Sequence, residues 1–197
     1  MNSFNPGELP PPPLRACFGC DELIEKIVGL AESLTSIALV GVGGIGKTSI
    51  ALAVLQHDHI KKVFGDDRWF IRSDQFPASC THFLSQLSKV IGAGVENPKN
   101  LTPLQPFLSS RKMLLVLDNA ESILEPQGTS GGDIYAIVKE MSQFSNICLC
   151  ITSCISTIPP ACKTINIPTL SMDAAHSTFN SIYKGGGEST LVNSILE

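Results

Sequence analysis

Between residues 21 and 34, Leu23, Ile24, Ile27, Val28, Leu30, Ala31 and Leu34 recur at three- and four-residue intervals. This spacing places them on one face of a helix, with Asp21 ahead of them as an N-cap or first-turn acid. The pattern then changes to "SIALVG" (36–41), a short continuous apolar run ending in glycines, which predicts a buried parallel strand. A second helix is expected to begin inside the glycine loop and run to Leu55 or Gln56. "RWFIRS" (68–73) reads as the second strand and "CTHFLSQLSKVIG" (80–92) as a helix. "LTPLQPFLSS" (101–110) reads as another helix, with Thr102 as cap and Pro103 at its first position. "KMLLVLD" (112–118) is the clearest buried strand. "GTSGGD" (128–133) predicts a flexible loop before an amphipathic helix through "IYAIVKEMSQF". "NICLCITS" (146–153) and "KTINI" (163–167) complete five strands, and "SMDAAHSTFNSIY" and "ESTLVNSIL" are helical stretches at the end. There is no internal repeat. Strands separated by helices predict an α/β fold in three layers, a five-stranded parallel sheet flanked by helices, with ligands at the carboxyl ends of the strands.

Composition narrows the field. A chain of 197 residues, 43% hydrophobic and 16% charged, is expected to fold around one sizeable core. Residues 1–16, with Pro10 to Pro13 in a row, are expected to form an extended arm or linker before a domain at 17–197. The net charge of −4 offers no basic footprint for nucleic acid or an acidic membrane. No apolar run reaches the ~18 residues of a membrane span, and the N-terminus lacks a signal peptide's basic and apolar regions. The expected setting is cytoplasmic. Of seven cysteines, Cys17 and Cys20 are spaced C-x-x-C with no second pair or nearby histidine to complete a zinc set. Cys148 and Cys150 lie in an apolar run where cysteine acts as a small buried hydrophobe. His57 and His59 follow a helix and read as solvated loop residues.

Chemistry enters at residues 41–50, "GVGGIGKTSI", which fits both the G-x-G-x-x-G dinucleotide fingerprint and the G-x-x-x-x-G-K-[ST] phosphate loop. The dinucleotide reading needs an acid at the end of the second strand, about 20 residues on. Asp66 and Asp67 precede that strand and Asp74 is rather distant. The phosphate-loop reading needs no allowance: Lys47 can reach the β- and γ-phosphates and Thr48 supplies a hydroxyl for Mg²⁺. Amides from Gly43 to Ser49 would wrap the phosphates at a helix N-terminus. "MLLVLD" supplies the other half of such a site, with Asp118 at a strand tip about 70 residues later to hold the magnesium shell. The chain is read as a nucleoside triphosphate binder.

The Asp118 strand is separated from the phosphate-loop strand by "RWFIRS", and an intervening strand leaves room for a residue that positions water. Asn119 can orient a water but cannot accept its proton. Glu121 acts as a base if the following turn aims it back at the γ-phosphate, or is simply a first-turn acid favoured by a helix dipole; both readings stand.

Six segments in order, "FGCDELIEKIV", "GVGGIGKTS", "FGDDRWFI", "LLVLDNAES", "CITS" and "IPTLSMDAAHSTF", resemble the nucleotide-binding domain of the STAND class of P-loop NTPases. The resemblance is to its NB-ARC branch, especially versions common in large fungal NLR-like proteins, and it covers about residues 17–183. Plant resistance proteins and apoptosome scaffolds belong to the same branch. The resemblance implies that Phe18 and Gly19 lie beside the adenine. It implies that Gly41, Val42, Gly43, Gly44, Ile45, Gly46, Lys47 and Thr48 form the phosphate loop, with Ser49 near the α-phosphate. Asp118 matches the magnesium acid, and Thr152 and Ser153 match the strand tip that senses the γ-phosphate. It further implies a switch that rests with ADP, exchanges it for ATP, and self-associates or docks on neighbouring domains. The expected chemistry is slow hydrolysis with Lys47, Asp118, Asn119 and Glu121 at the catalytic centre.

Three positions depart from that pattern. Cys20 stands where an arginine usually follows the glycine, Cys154 where the sensor usually ends in arginine, and Asn119 where a second acid is usual. A guanidinium at 154 would contact the γ-phosphate and distinguish ATP from ADP, which a cysteine cannot do. The expectation is a domain that binds nucleotide and hydrolyses it poorly. The helical and winged-helix subdomains that follow in such proteins are not expected within these 197 residues. A non-hydrolysing scaffold stabilised by nucleotide and a GTP-preferring NTPase stay open. A kinase is disfavoured by only four arginines, none in a lid-like cluster.

Overall fold

The computed structural model describes residues 19–75, 79–124, 129–169 and 171–182. The 1–16 arm, Cys17, Phe18 and the "ESTLVNSIL" helix lie outside them.

The chain begins with helix α1 (Asp21–Glu32), strand β1 (Ile37–Val40), helix α2 (Lys47–Gln56), helix α3 (Asp58–Phe64) and strand β2 (Arg68–Arg72). A 3-10 turn (Ser73–Gln75) and helix α4 (Cys80–Val90) come next. A second 3-10 turn (Thr102–Leu104) runs into helix α5 (Gln105–Ser109) and strand β3 (Met113–Asp118). Helices α6 (Glu121–Leu124) and α7 (Thr129–Met141), strands β4 (Ile147–Ser153) and β5 (Lys163–Asn166), and helix α8 (Met172–Ile182) complete the described chain.

The five strands form one parallel sheet in the order β2-β3-β4-β1-β5. Every residue of β3 and β4 is buried, as a central parallel strand covered on both faces must be. Alternation along the strands then splits the core in two. Ile37, Leu39, Leu114, Val116, Cys148 and Cys150 pack towards Ile27, Ala31, Ile50 and Val54 of α1 and α2. Ala38, Leu115, Leu117, Leu149 and Ile151 pack towards Phe83, Leu87, Leu108, Ile134 and Val138. The three-layer α/β fold read from the sequence is therefore the observed one.

Four local expectations are corrected. The strand between β1 and β3 is β4, whereas "RWFIRS" is an edge strand. The connection from β1 to β2 passes over two positions of the sheet, which β3 and β4 later fill. Residues 129–133 belong to α7 and not to a loop, so helix continuity overrides the cost of two glycines. His57 and His59 start a helix: the His57 side chain accepts from the His59 amide at its N-terminus. The two imidazoles meet Glu25 and Glu32 of α1, each at 3.2 Å. Thr102 does not cap a continuous helix; its amide donates to Asn100 Oδ1, and the segment divides into a 3-10 turn and α5. Asp21 takes the first-turn position, with Cys20 at the cap.

Candidate functional site

The order of the sheet places the carboxyl ends of β1, β4 and β3 side by side. Val40 lies level with Ser153, and Leu117 with Ile151. The chain leaves β1 through Gly41, whose amide donates to Ser153 O at 3.3 Å. It turns through the 41–46 loop and enters α2 at Lys47. Gly46, the N-cap residue, has φ +102°, a backbone conformation open to glycine and strained for other residues. The first-turn amides of Lys47, Thr48 and Ser49 consequently point out of the helix end without i−4 partners, the arrangement that receives an anion.

Lys47 is almost fully buried (8% exposed). Its ammonium folds back over the loop and donates to Gly41 O (2.8 Å), Val42 O (2.9 Å) and Cys154 Sγ (3.1 Å). Three donors thus meet three acceptors. The next residue, Thr48, donates its hydroxyl to Asp118 Oδ1 at 2.7 Å across a separation of 70 residues. Asp118 is 5% exposed and also accepts from the Thr152 hydroxyl at 2.7 Å. The Thr152 oxygen accepts in turn from the Asn119 amide at 2.9 Å, and Ala120 N donates to Thr152 O. Asn119 has φ +58°, a conformation that asparagine tolerates better than most residues. That turn starts α6 and swings Glu121 back towards β4, where its Oε2 accepts from the Cys154 amide at 3.3 Å.

The sequence-predicted residues from β1, α2, β3 and β4 therefore converge on one end of the sheet. Thr152 and Ser153 are buried and bonded within the protein: Thr152 meets the site through Asp118, and the Ser153 oxygen accepts from Ile155 N. Val42, Gly43 and Gly44 form the exposed outer arc of the loop, with Ile45 half-buried beneath. Gly19 packs against α8. Its φ is +70°, and a Cβ there would sit 2.7 Å from Ala174 Cβ of α8. Phe18 lies outside the described residues. Sequence reasoning saw Cys154 only as a missing arginine and did not foresee its contact with Lys47.

A carboxylate and a hydroxyl 2.7 Å apart beside a lysine are hard oxygen donors of the kind magnesium takes. The charge on Asp118 is felt behind it. Burial, and secondarily the Asp118 carboxylate, pushes the Cys150 thiol up to about 12. Among the described residues no cluster of three or more histidine, cysteine or acidic side chains forms a separate metal site. None of their helices is long and apolar enough to cross a membrane.

Comparison with known proteins agrees with this geometry. A model of the NB-ARC domain matches residues 19–123. A "Probable disease resistance protein" of Arabidopsis thaliana is 31% identical over 109 residues, which cover 51% of this chain and 12% of that protein. This chain thus spans only about an eighth of that relative's length. Among solved structures, the Aeropyrum pernix Orc1 protein, determined in complex with DNA, superposes with a TM-score of 0.68 at 15% identity. The aligned part is 93% of this chain and 55% of that one. Cdc6p from Pyrobaculum aerophilum gives 0.65 at 17% identity over 92% and 51% of the two chains. At these identities the two structures speak for the fold alone.

Proposed function

The chain belongs to the NB-ARC domain family, and from that premise we propose that it is a switch that binds ADP and ATP with Mg²⁺ and hydrolyses ATP slowly. The observation that carries this reading is the 2.7 Å contact between Thr48 and Asp118 beside the loop-bound Lys47. These are three side chains from two distant segments, assembled where a helix N-terminus faces outward.

Thr48 and Asp118 would hold the magnesium ion, which when bound supplies neutralising charge at the β- and γ-phosphate oxygens. Lys47 supplies a second positive charge there. The loop amides from Gly43 to Ser49 cradle the phosphates. Thr152 acts as a positioning residue: its hydroxyl fixes one oxygen of Asp118 and so directs the carboxylate towards the site. Phe18 and Gly19 bind the base by backbone contacts, on the side where α8 reaches Gly19. Asn119 orients the attacking water, and Glu121, turned back towards the tip of β4, takes its proton. Residues 17–197 act as the nucleotide-binding unit, and exchange of ADP for ATP drives self-association or release from neighbouring domains. A non-hydrolysing, nucleotide-stabilised scaffold is the second reading, favoured by Cys154 in place of the sensor arginine and by Asn119 in place of a second acid.

Phosphate release with Mg-ATP and Mg-GTP separates the two. The switch reading expects slow release with Mg-ATP and a loss of about a hundredfold or more in Glu121→Gln. It expects a gain of about tenfold in Cys154→Arg, where a guanidinium faces the γ-phosphate. Tight nucleotide binding with no release from the wild type or Cys154→Arg would establish the scaffold. Faster release with Mg-GTP than with Mg-ATP would reassign the base.

A further inference from the structure

An arginine at the open end of the sheet carries an inference that rests on the nucleotide-site reading and deepens it. Among the described residues the arginines are Arg68, Arg72 and Arg111. Arg68 opens β2 and donates to Leu55 O and Gly65 O, each at 2.6 Å. Arg111, just ahead of β3, is held by Asp67 at 3.0 Å and by Ile91 O at 2.7 Å. Both therefore lie at the amino ends of the strands. Arg72 closes β2 at the carboxyl end, level with Asp118 of β3. Side chains along a strand alternate between faces. Ile71 packs with Leu115 and Leu117 on one face, and Phe70 with Leu114 and Val116 on the other. Arg72 and Asp118 continue the second set, on the face that α2 covers.

Arg68 shows how far such a side chain reaches. It lies on that same face, and its bond to Leu55 O spans from β2 to the last turn of α2. Thr48, at the other end of α2, touches Asp118 at the strand tips, so helix and strand run in opposite directions. From Arg68 to Arg72 the strand climbs about 13 Å, and from Leu55 back to Thr48 the helix climbs about 10 Å. Arg72 thus stands to the first turn of α2 as Arg68 stands to the last. Its guanidinium now pairs with Asp74 at 3.1 Å, and the Arg72 side chain is half exposed. An ion pair this open to solvent is weak. It is readily exchanged for a phosphate, which a guanidinium grips with two parallel hydrogen bonds.

We propose that Arg72 is a γ-phosphate-binding residue that makes the site prefer ATP to ADP. Asp118 marks the metal side of the site, where the β- and γ-phosphates lie, and Arg72 approaches from the strand beyond it. With magnesium and Lys47 counted, ATP leaves one more negative charge to be met than ADP does. The fork of N–H donors on Arg72 meets it. The cation that Cys154 does not supply from β4 is supplied from β2, and Arg72 leaves Asp74 when ATP binds.

The test measures Kd for Mg-ATP and Mg-ADP by titration calorimetry on the full chain. Wild type is compared with Arg72→Gln, Arg72→Lys, Asp74→Asn and the double variant of Arg72→Gln with Asp74→Asn. Arg72→Gln is expected to weaken Mg-ATP binding about tenfold and Mg-ADP binding by less than about twofold. Arg72→Lys keeps the charge but loses the fork, and falls between wild type and Arg72→Gln. Asp74→Asn removes the competing carboxylate and tightens Mg-ATP binding by about two- to threefold, a gain that disappears in the double variant. An ATP-to-ADP preference in Arg72→Gln equal to that of wild type overturns the proposal, whether both affinities hold or both fall together. A gain from Asp74→Asn that persists without Arg72 overturns it as well. If Arg72→Gln does not fold, Asp74→Asn decides alone, and an unaltered Mg-ATP affinity there overturns the proposal. Wild type that binds neither nucleotide defeats the switch reading and this proposal with it. Wild type that binds both, with the preference untouched in Arg72→Gln, defeats the role of Arg72 and leaves the switch reading standing.

Discussion

Lys47 and Asp118 are charged side chains at 8% and 5% exposure, a placement that costs several kcal/mol for each ion unless it is compensated. Their compensation is local: two carbonyls and a thiol for the ammonium, two hydroxyls on one oxygen of the carboxylate. These residues were legible in the sequence because a glycine loop ending in Lys-Thr and a strand ending in Asp each specify a geometry as well as a chemistry. The Lys47–Cys154 contact was not legible, since it depends on β4 lying beside β1 and nothing local encodes that adjacency. Gly19 is another residue whose constraint comes from afar. With φ +70° and Ala174 Cβ 2.7 Å from where a side chain would begin, Gly19→Ala must both strain the backbone and push α8. We expect a loss of about 1–3 kcal/mol, measured by urea denaturation. Unchanged stability would mean that α8 does not pack on Gly19.

At the level of elements, hydrophobic patterning found all five strands but not their order. Strand order follows from crossover handedness and from which faces remain to be covered, and neither is a local property. Helix ends were misplaced for a related reason. Helix α1 stops at Glu32, and the Leu34 and Thr35 amides close the end on Ala31 O and Leu30 O. The left-handed position that glycine usually takes there is held by Leu34 at φ +58°. Its side chain packs on the α1–α2 core, so burial overrode the backbone preference. Strand β4 and the turn before β5 carry a pH signature. Burial pushes the Cys150 thiol up to about 12 and Cys162 up to about 11, and raises Cys148 well above its ordinary 9.0. In the unfolded chain these thiols ionise near pH 9 while in the fold they stay protonated. Their stabilising contribution is therefore whole below about pH 9 and is lost as pH rises through the folded values. The slope approaches about 1.4 kcal/mol per pH unit for each thiol. Melting temperature followed from pH 7 to 11 is expected to be flat to about pH 9 and then to fall. The fall becomes shallower when Cys150 is replaced by valine.

The whole molecule is a sheet whose two central strands are buried on both faces and whose one open end collects every charged group of the candidate site. The superposition on the Orc1 protein and on Cdc6p over nine-tenths of the chain reflects that architecture. The chemistry rests on the residues at its tip. Binding at that tip is the central claim, and the melting temperature of the chain with and without Mg-ADP and Mg-ATP tests it most directly, with Lys47→Ala measured in parallel. Nucleotide at a hundred times its dissociation constant adds about 2.7 kcal/mol to the folded state. For a chain of this size that is a rise of roughly 5–10 °C. The account predicts a rise of that order in wild type, with the response to both nucleotides largely lost in Lys47→Ala. No rise with ADP, ATP or GTP in wild type, or an equal rise in folded Lys47→Ala, would contradict it.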